Sequence, residues 1–371
     1  MTVGIMGAGQ LGRMLALAGY PLGLDFLFLD PAKDAPAGRI APVLHGAFTD
    51  HGLLAQLARK SEVVTIDWEN VSLEALRALA GASVDRPARV SPPIRAVATA
   101  QDRVSEKRLF ERLKIPTNRW RVIASRAQLE RAIREIGLPG VIKTRRLGYD
   151  GKGQAVIKTR EDAERAWHEL GTVGLIYEEW VPFDCEVSII GARSRRGEIA
   201  IYPLNGNVHA NGILRVTLAP YGPPRWHRLA ARYLESVLTH FRYTGILTIE
   251  FFVRGGRLIA NEMAPRVHNS GHWTIEGAVT SQFENHLRAI LDLPLGSTRP
   301  TGYSAMLNLI GSLPPRPEVL GWEGVHLHDY DKEPRAGRKV GHCTLVEPTR
   351  VRRDRRARQL LSQLAPGVRI P

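Results

Sequence analysis

The apolar positions of the first 90 residues switch between two periods. Short apolar runs at residues 3–6, 26–29 and 62–66 have the length of buried strands, and residues 10–19 carry helical spacing. This alternation predicts a parallel, doubly wound sheet. A proline-marked stretch from Arg86-Pro87 to Pro92-Pro93 closes it, and residues 101–113 read as a helix. A second α/β unit follows, with strands at 141–143, 154–158, 175–179 and 186–191 and helices at 161–170 and 228–241. Residues 246–253 and 257–263 form a hairpin pattern around Gly255-Gly256. A helix at 281–291, a strand at 303–310, and then short strands with a basic helix complete the chain.

Composition narrows the class. The chain has 371 residues, enough for two or three domains, and 44% of them are hydrophobic, ordinary for a globular core. No apolar run has the length of a bilayer span, and Arg13 interrupts the N-terminal apolar stretch, so no signal peptide is expected. Two cysteines, Cys185 and Cys343, supply neither a disulfide framework nor zinc spacing, and a reduced cytoplasmic protein is the expectation. The formal charge of +14 favours anionic ligands. Its densest run, residues 350–358, has no interleaved aromatics, so it reads as a solvated helix face and not as a nucleic-acid surface.

Five segments carry candidate chemistry. Gly7-Ala8-Gly9-Gln10-Leu11-Gly12 lies between a strand and a helix, where free N–H groups and the dipole favour an anion; with Asp30 it also admits a dinucleotide reading. Residues 143–153 place Lys143 at a strand end before a loop with three glycines and several cations, suited to closing over a triphosphate. Glu250 and Glu262, with Asn261, stand in apolar strands, where an idle carboxylate is costly and a cation would repay it. The hairpin loop decides their geometry. A two-residue turn would pair Glu250 with Asn261 and split the glutamates between faces, whereas a three-residue loop centred on Gly256 would pair Glu250 with Glu262. Residues 266–273 are rich in donors and acceptors and poor in core residues, as a polar small-molecule site requires. Residues 329–342 gather Lys332, Arg335, Arg338 and Lys339 as a phosphate clamp.

Together these segments closely resemble the ATP-grasp superfamily and, within it, the N5-carboxyaminoimidazole ribonucleotide synthetase family, over nearly the whole chain. The most specific stretches are Gly148-Tyr149-Asp150-Gly151-Lys152-Gly153-Gln154 and residues 261–273. The resemblance implies an α/β ATP-grasp fold with three parts. These are an N-terminal Rossmann-like domain (1–95), an ATP-grasp domain (96–300) with a lid at about 118–181, and a small C-terminal α+β domain (301–371). It implies ATP contacts from Arg103, Lys143, Gly148, Tyr149, Asp150, Gly151, Lys152, Gly153, Glu178, Glu179, Trp180, Val181, Glu186, His209, Asn261 and Glu262. Magnesium would fall to Glu250 and Glu262. Gln10, Leu11, Glu69, Arg266, His268, Lys332, Arg338 and Lys339 match the ribonucleotide and bicarbonate pocket, and Tyr149, Lys152, Arg266 and His268 the catalytic set.

The implied activity is ATP-dependent carboxylation of aminoimidazole ribonucleotide by bicarbonate through carboxyphosphate. A homodimer that binds neither nucleic acid nor membrane is expected. Two positions depart from the family's habit: Asp67 stands where glutamate is frequent, and Leu147 where a second glycine is frequent. The competing readings are an ATP-grasp ligase with another acyl-phosphate acceptor and an NAD-dependent oxidoreductase.

Overall fold

The structure, a computed structural model, describes residues 1–81, 89–148, 153–171 and 173–370. Five short strands build the first sheet: β1 (Thr2–Met6), β2 (Asp25–Asp30), β3 (Val43–His45), β4 (Val63–Ile66) and β5 (Arg89–Val90). They are parallel in the order β3-β2-β1-β4-β5. Alternate residues serve opposite faces. Val3, Ile5 and Phe28 pack with Leu11 and Leu15 of α1 (Gln10–Gly19). Met6, Leu27 and Leu29 meet Leu57 of α2 (His51–Lys60) and Leu76 of α3 (Leu73–Gly81). Burial on both faces explains the nearly continuous apolar runs, and a fully buried side chain such as Phe28 contributes about 2–3 kcal/mol. The edge strands β3 and β5, three and two residues long, are too short to leave a readable period.

The strand order reverses between β1 and β4, so a crevice opens at their carboxyl ends, the general ligand position in such sheets. The glycine turn leaves β1 there, and Asp67-Trp68-Glu69 leaves β4. The helix expected over 101–113 forms as α5 (Arg103–Arg112), starting two residues late and after a separate short helix, α4 (Ile94–Ala100). The cause is Asp102, whose carboxylate caps the N–H groups of Val104 (3.0 Å) and Ser105 (3.4 Å).

A small antiparallel sheet follows, comprising β6 (Trp120–Ile123), β7 (Gly140–Thr144), β8 (Gln154–Ile157) and β9 (Leu175–Glu179) in the order β6-β9-β7-β8. Helices α6 (Arg126–Ile136) and α7 (Arg160–Leu170) bury Leu129, Ala132 and Ala166 against it.

The largest sheet is antiparallel. Its strands are β10 (Cys185–Arg193), β11 (Ile199–Ile201), β12 (Asn205–Ala210), β13 (Ile213–Ala219), β14 (Gly245–Arg254) and β15 (Arg257–Ala264), then β16 (Tyr303–Ile310), β17 (Val325–Asp329) and β18 (Lys339–Glu347). The order is β15-β14-β10-β12-β13-β16-β18-β17, with β11 on β10. Pairing of β13 with β16 makes the C-terminal strands an extension of the central ones. Helices α8 (Pro224–Phe241), α9 (Thr274–Gly277), α10 (Gln282–Ile290), α11 (Arg316–Leu320) and α12 (Arg350–Leu364) surround it.

The arginine run on α12 is not wholly solvated. Arg350, Arg352, Arg355 and Arg358 are exposed, but Arg353 is buried, donating to Pro220 O (3.2 Å) and pairing with Asp354 (2.7 Å). No helix among the described residues is long and apolar enough to cross a membrane.

Candidate active site

One cavity of about 830 Å³ runs from the crevice of the first sheet to the space between the two antiparallel sheets. Its metal-type corner is set by the β14–β15 hairpin. The turn has two residues, Gly255 and Gly256, both with positive φ, and Arg254 pairs with Arg257. That register would have put Asn261 opposite Glu250. A β-bulge intervenes: Phe251 pairs with Ala260, and Glu250 with Glu262. The expectation that facing glutamates need a three-residue loop is therefore corrected. The extra residue sits within the strand, where a bulge moves every later side chain to the other face.

Both carboxylates line the cavity with Asn261, whose buried Oδ1 has no hydrogen-bond partner. Each carboxylate has its own partner, His268 Nε2 at 3.0 Å from Glu250 and Arg103 Nη1 at 3.2 Å from Glu262. Burial raises the Glu250 carboxyl, but His268, His209 and Lys339 together more than reverse it. In the sheet order β18 lies five strands from β14, ~24 Å away in a flat sheet. Lys339 lines the same cavity and acts on the Glu250 charge, so the sheet must curl strongly. Among the described residues no three His, Cys, Asp or Glu side chains gather as a metal cage. Two carboxylates and an amide oxygen instead fit a hard cation that is completed by phosphate oxygens.

The small sheet forms the opposite wall. Lys143 Nζ donates to Glu178 Oε2 (3.1 Å), which also accepts from Asn118 Nδ2 (3.0 Å). Burial would raise the Glu178 carboxyl, but the Lys107 and Lys143 charges outweigh it and hold the group well below the usual carboxylate range. Glu178 Oε1 is buried without a partner. Glu179, Trp180 and Val181 line the same stretch with Phe183, which stacks on Phe252 at 4.8 Å between centroids. Glu186 accepts from His209 Nδ1 at 2.9 Å. Gly148 lines the cavity and Gly153 adopts φ +70°, but Tyr149, Asp150, Gly151 and Lys152 lie outside the described residues.

At the first-sheet end, Gln10, Leu11 and Glu69 line the cavity with Arg266. Arg266 pairs through Nε with Glu69 and donates Nη1 to Val267 O at 3.0 Å. Burial raises the Glu69 carboxyl and Arg266 brings it below its ordinary value. Lys332 donates to Gln10, and burial pushes its ammonium down to about 8. Lys339 lines the cavity, whereas Arg338 folds onto its own loop, donating to Glu333 O at 3.1 Å.

The glycine turn is already occupied. Ala8 N donates to Asp30 Oδ2 and Gly9 N to Asp67 Oδ2, each at 2.7 Å. A Cβ at Gly7, φ +97°, would lie 1.7 Å from Asp67 Oδ1. The amides that would cradle a pyrophosphate thus face carboxylates of the chain itself, which removes the dinucleotide reading. Burial pushes the Asp67 carboxyl up to about 7.

The 266–273 segment divides. Arg266, His268 and Asn269 face the cavity, whereas Ser270, His272 and Trp273 are core. Sequence reasoning missed Asn118, Asp102 and Lys107. The only signal was their polarity at positions a helix or strand would bury.

These features define the class of protein. An ATP-grasp domain profile matches residues 108–283, a ribonucleotide synthetase preATP-grasp domain profile residues 1–101, and a phosphoribosylaminoimidazole carboxylase C-terminal domain profile residues 304–356. An N5-carboxyaminoimidazole ribonucleotide synthase of Pseudomonas aeruginosa is 49% identical over 93% of this chain and 94% of its own. A crystal structure of the synthetase from Thermus thermophilus superposes with a TM-score of 0.94 at 48% identity, covering 100% of both chains. An Aspergillus clavatus synthase solved with ADP and 5-aminoimidazole ribonucleotide has a TM-score of 0.89 at 29% identity over 97% of each. The chain belongs to the N5-carboxyaminoimidazole ribonucleotide synthetase family.

Proposed function

We propose that this chain uses ATP and bicarbonate to carboxylate the exocyclic amine of 5-aminoimidazole ribonucleotide, releasing ADP and phosphate. The observation that carries it is the Glu250–Glu262 pair with Asn261, in one cavity with the Glu178–Val181 stretch and the Arg266–His268 corner. Three units divide the work, residues 1–95, 96–300 with a lid at 118–181, and 301–371.

In this reading the nucleotide lies between the two antiparallel sheets. Glu178, Glu179, Trp180 and Val181 border the adenine, Glu186 takes the ribose hydroxyls with His209 beside it, and Lys143, Arg103 and the 148–153 loop meet the phosphates. Magnesium, held by Glu250 and Glu262 with Asn261, would neutralise phosphate charge when bound. Arg266 and His268 hold bicarbonate so that one oxygen attacks the γ-phosphorus as the bond to ADP breaks, giving carboxyphosphate. Gln10, Leu11, Glu69, Lys332 and Lys339 position the ribonucleotide, and Arg338 would join them by turning from its own loop. Its amine attacks the carboxyl carbon, or CO₂ released from it, and phosphate departs as the amine loses a proton. Tyr149 and Lys152 act at the same point. Excluding water protects the short-lived anhydride. The family reading also gives a homodimer acting in the cytoplasm.

Phosphate release from Mg·ATP, with ribonucleotide and bicarbonate each supplied or withheld, tests the proposal. Release dependent on the ribonucleotide, with an acid-labile carbamate product, is expected, and Glu262→Gln should lower it about 100-fold or more. Release driven by a different amine or acid would overturn the substrate assignment.

A further inference from the structure

Lys107 is given no ligand in the reading above, although its charge helps to lower the Glu178 carboxyl. It stands on α5, one turn after Arg103, and its side chain is 1% exposed. A buried ammonium is costly unless its donors are satisfied. Here Nζ is surrounded by acceptors: Thr117 Oγ1 and Asn118 Oδ1 at 2.9 Å, Asn261 O at 3.1 Å and Ala260 O at 3.3 Å. Glu178 Oε2 lies 3.6 Å away. Burial pushes the ammonium down from its ordinary value, opposed chiefly by Glu178.

The two carbonyls are the telling contacts. On β15 the ladder slips between Ala260 and Glu262, with Asn261 the extra residue, and that slip brings Glu262 opposite Glu250. A bulge leaves backbone groups without their ladder partners. Lys107 takes both carbonyls at this point, and Thr117 adds a bond from Oγ1 to Ala260 O at 3.0 Å. Helix α5 also presents Arg103 to Glu262 and Glu106 to Met263 N (2.6 Å), so one face of one helix holds the bulge on three sides.

We propose that Lys107 is a positioning residue which, by clamping the carbonyls of Ala260 and Asn261, fixes the strand bulge that sets Glu250 and Glu262 in register to receive a divalent cation with the nucleotide phosphates. The proposal rests on the ATP-grasp reading of those glutamates but not on the identity of the amine that is carboxylated. Lys107 touches no substrate. It acts through the backbone, so its loss should weaken metal binding while leaving the ribonucleotide corner intact.

Two variants test this, Lys107→Met and the milder Thr117→Val, which loosens the same clamp without deleting the buried charge. Mn²⁺ affinity in the presence of ADP would be followed by electron paramagnetic resonance, and metal-free binding of aminoimidazole ribonucleotide by calorimetry. Removing groups that orient metal ligands typically costs 10–100-fold in metal affinity. Lys107→Met is therefore expected to weaken Mn²⁺ about tenfold or more and Thr117→Val about threefold, with ribonucleotide affinity within about twofold of the parent. Unchanged Mn²⁺ affinity would overturn the proposal, as would an equal loss of both affinities, the signature of a merely structural role. If Lys107→Met does not fold, Thr117→Val decides by the same two readings. A parent protein that binds Mn²⁺ with ADP yet shows no ribonucleotide-dependent turnover would sink the proposed substrate and leave the Lys107 test standing.

Discussion

Asp67 carries the most unusual acid–base environment at the first-sheet end of the cavity. Burial lifts its carboxyl from an ordinary 3.8 to about 7, although Gly9 N donates to it. Between those values the folded chain binds a proton that the unfolded chain has lost, so this group's contribution to stability falls as pH rises from about 4 to about 7 and then levels. Asp67→Asn abolishes that slope. Urea unfolding at pH 5 and pH 7.5 should therefore show the variant gaining on the parent at the higher pH; a difference that does not vary with pH would refute the assignment.

The same residue marks where sequence reasoning stops. Glycines between a strand and a helix were legible as an anion-favouring turn, but not that Asp30 and Asp67 themselves accept its N–H groups. That fact depends on β2 and β4 ending beside β1. Likewise Arg266 and His268 could be read from a polar segment after a strand, whereas Lys107 could not, since its reason for burial is a pair of carbonyls 153 and 154 positions away.

Among the elements, the β14–β15 hairpin holds the clearest lesson. Periodicity located both strands and the two-glycine turn, but turn arithmetic let Glu250 face Glu262 only through a three-residue loop, because a bulge leaves no mark in an apolar pattern. Deleting Asn261 should test the geometry directly. A ladder regular from the turn would then still set Glu262 opposite Glu250 on one face, so Mg·ADP affinity should fall by no more than the loss of the Asn261 amide, under about tenfold, while ribonucleotide binding persists. A larger loss of Mg·ADP affinity would mean that the facing register is not what holds the metal. The break before α5 teaches a related point. Helical spacing runs through Gln101 and Asp102, yet Asp102 serves better as a cap, and its carboxylate also takes Arg145 Nη2 at 2.6 Å and Arg146 Nη2 at 3.2 Å from the start of the glycine-rich loop.

For the whole molecule, the join between the first sheet and the largest one is made of side chains that no local pattern displays. His286 on α10 is buried, its Nε2 2.9 Å from Thr65 Oγ1 on β4 and its Nδ1 accepting from Ile246 N of β14 at 3.1 Å. With Nδ1 an acceptor, Nε2–H donates to the threonine. Burial lowers this imidazole to about 4. Below an ordinary value of 6.5 the unfolded chain takes up a proton that the folded chain refuses, so stability falls with pH from about 6.5 to about 4. His286→Leu strands the Ile246 N–H and should cost about 1–3 kcal/mol at pH 7.5. The deficit should shrink at pH 5, where the parent itself weakens; differential denaturation at the two pH values reads both effects.

The curl of the large sheet has a consequence for how the protein can be cut. Glu262, Glu250, Glu186, His209 and Lys339 stand on five strands of one continuous ladder. A chain ended before Tyr303 would do more than shed Lys339. It would strip β13 of its neighbour, leave Val216 and Leu218 without the cover of Ala305 and Leu307, and convert an interior strand into a sticky margin. The ladder behaves as one woven mat, so the nucleotide half cannot be harvested as an independent module by trimming the tail.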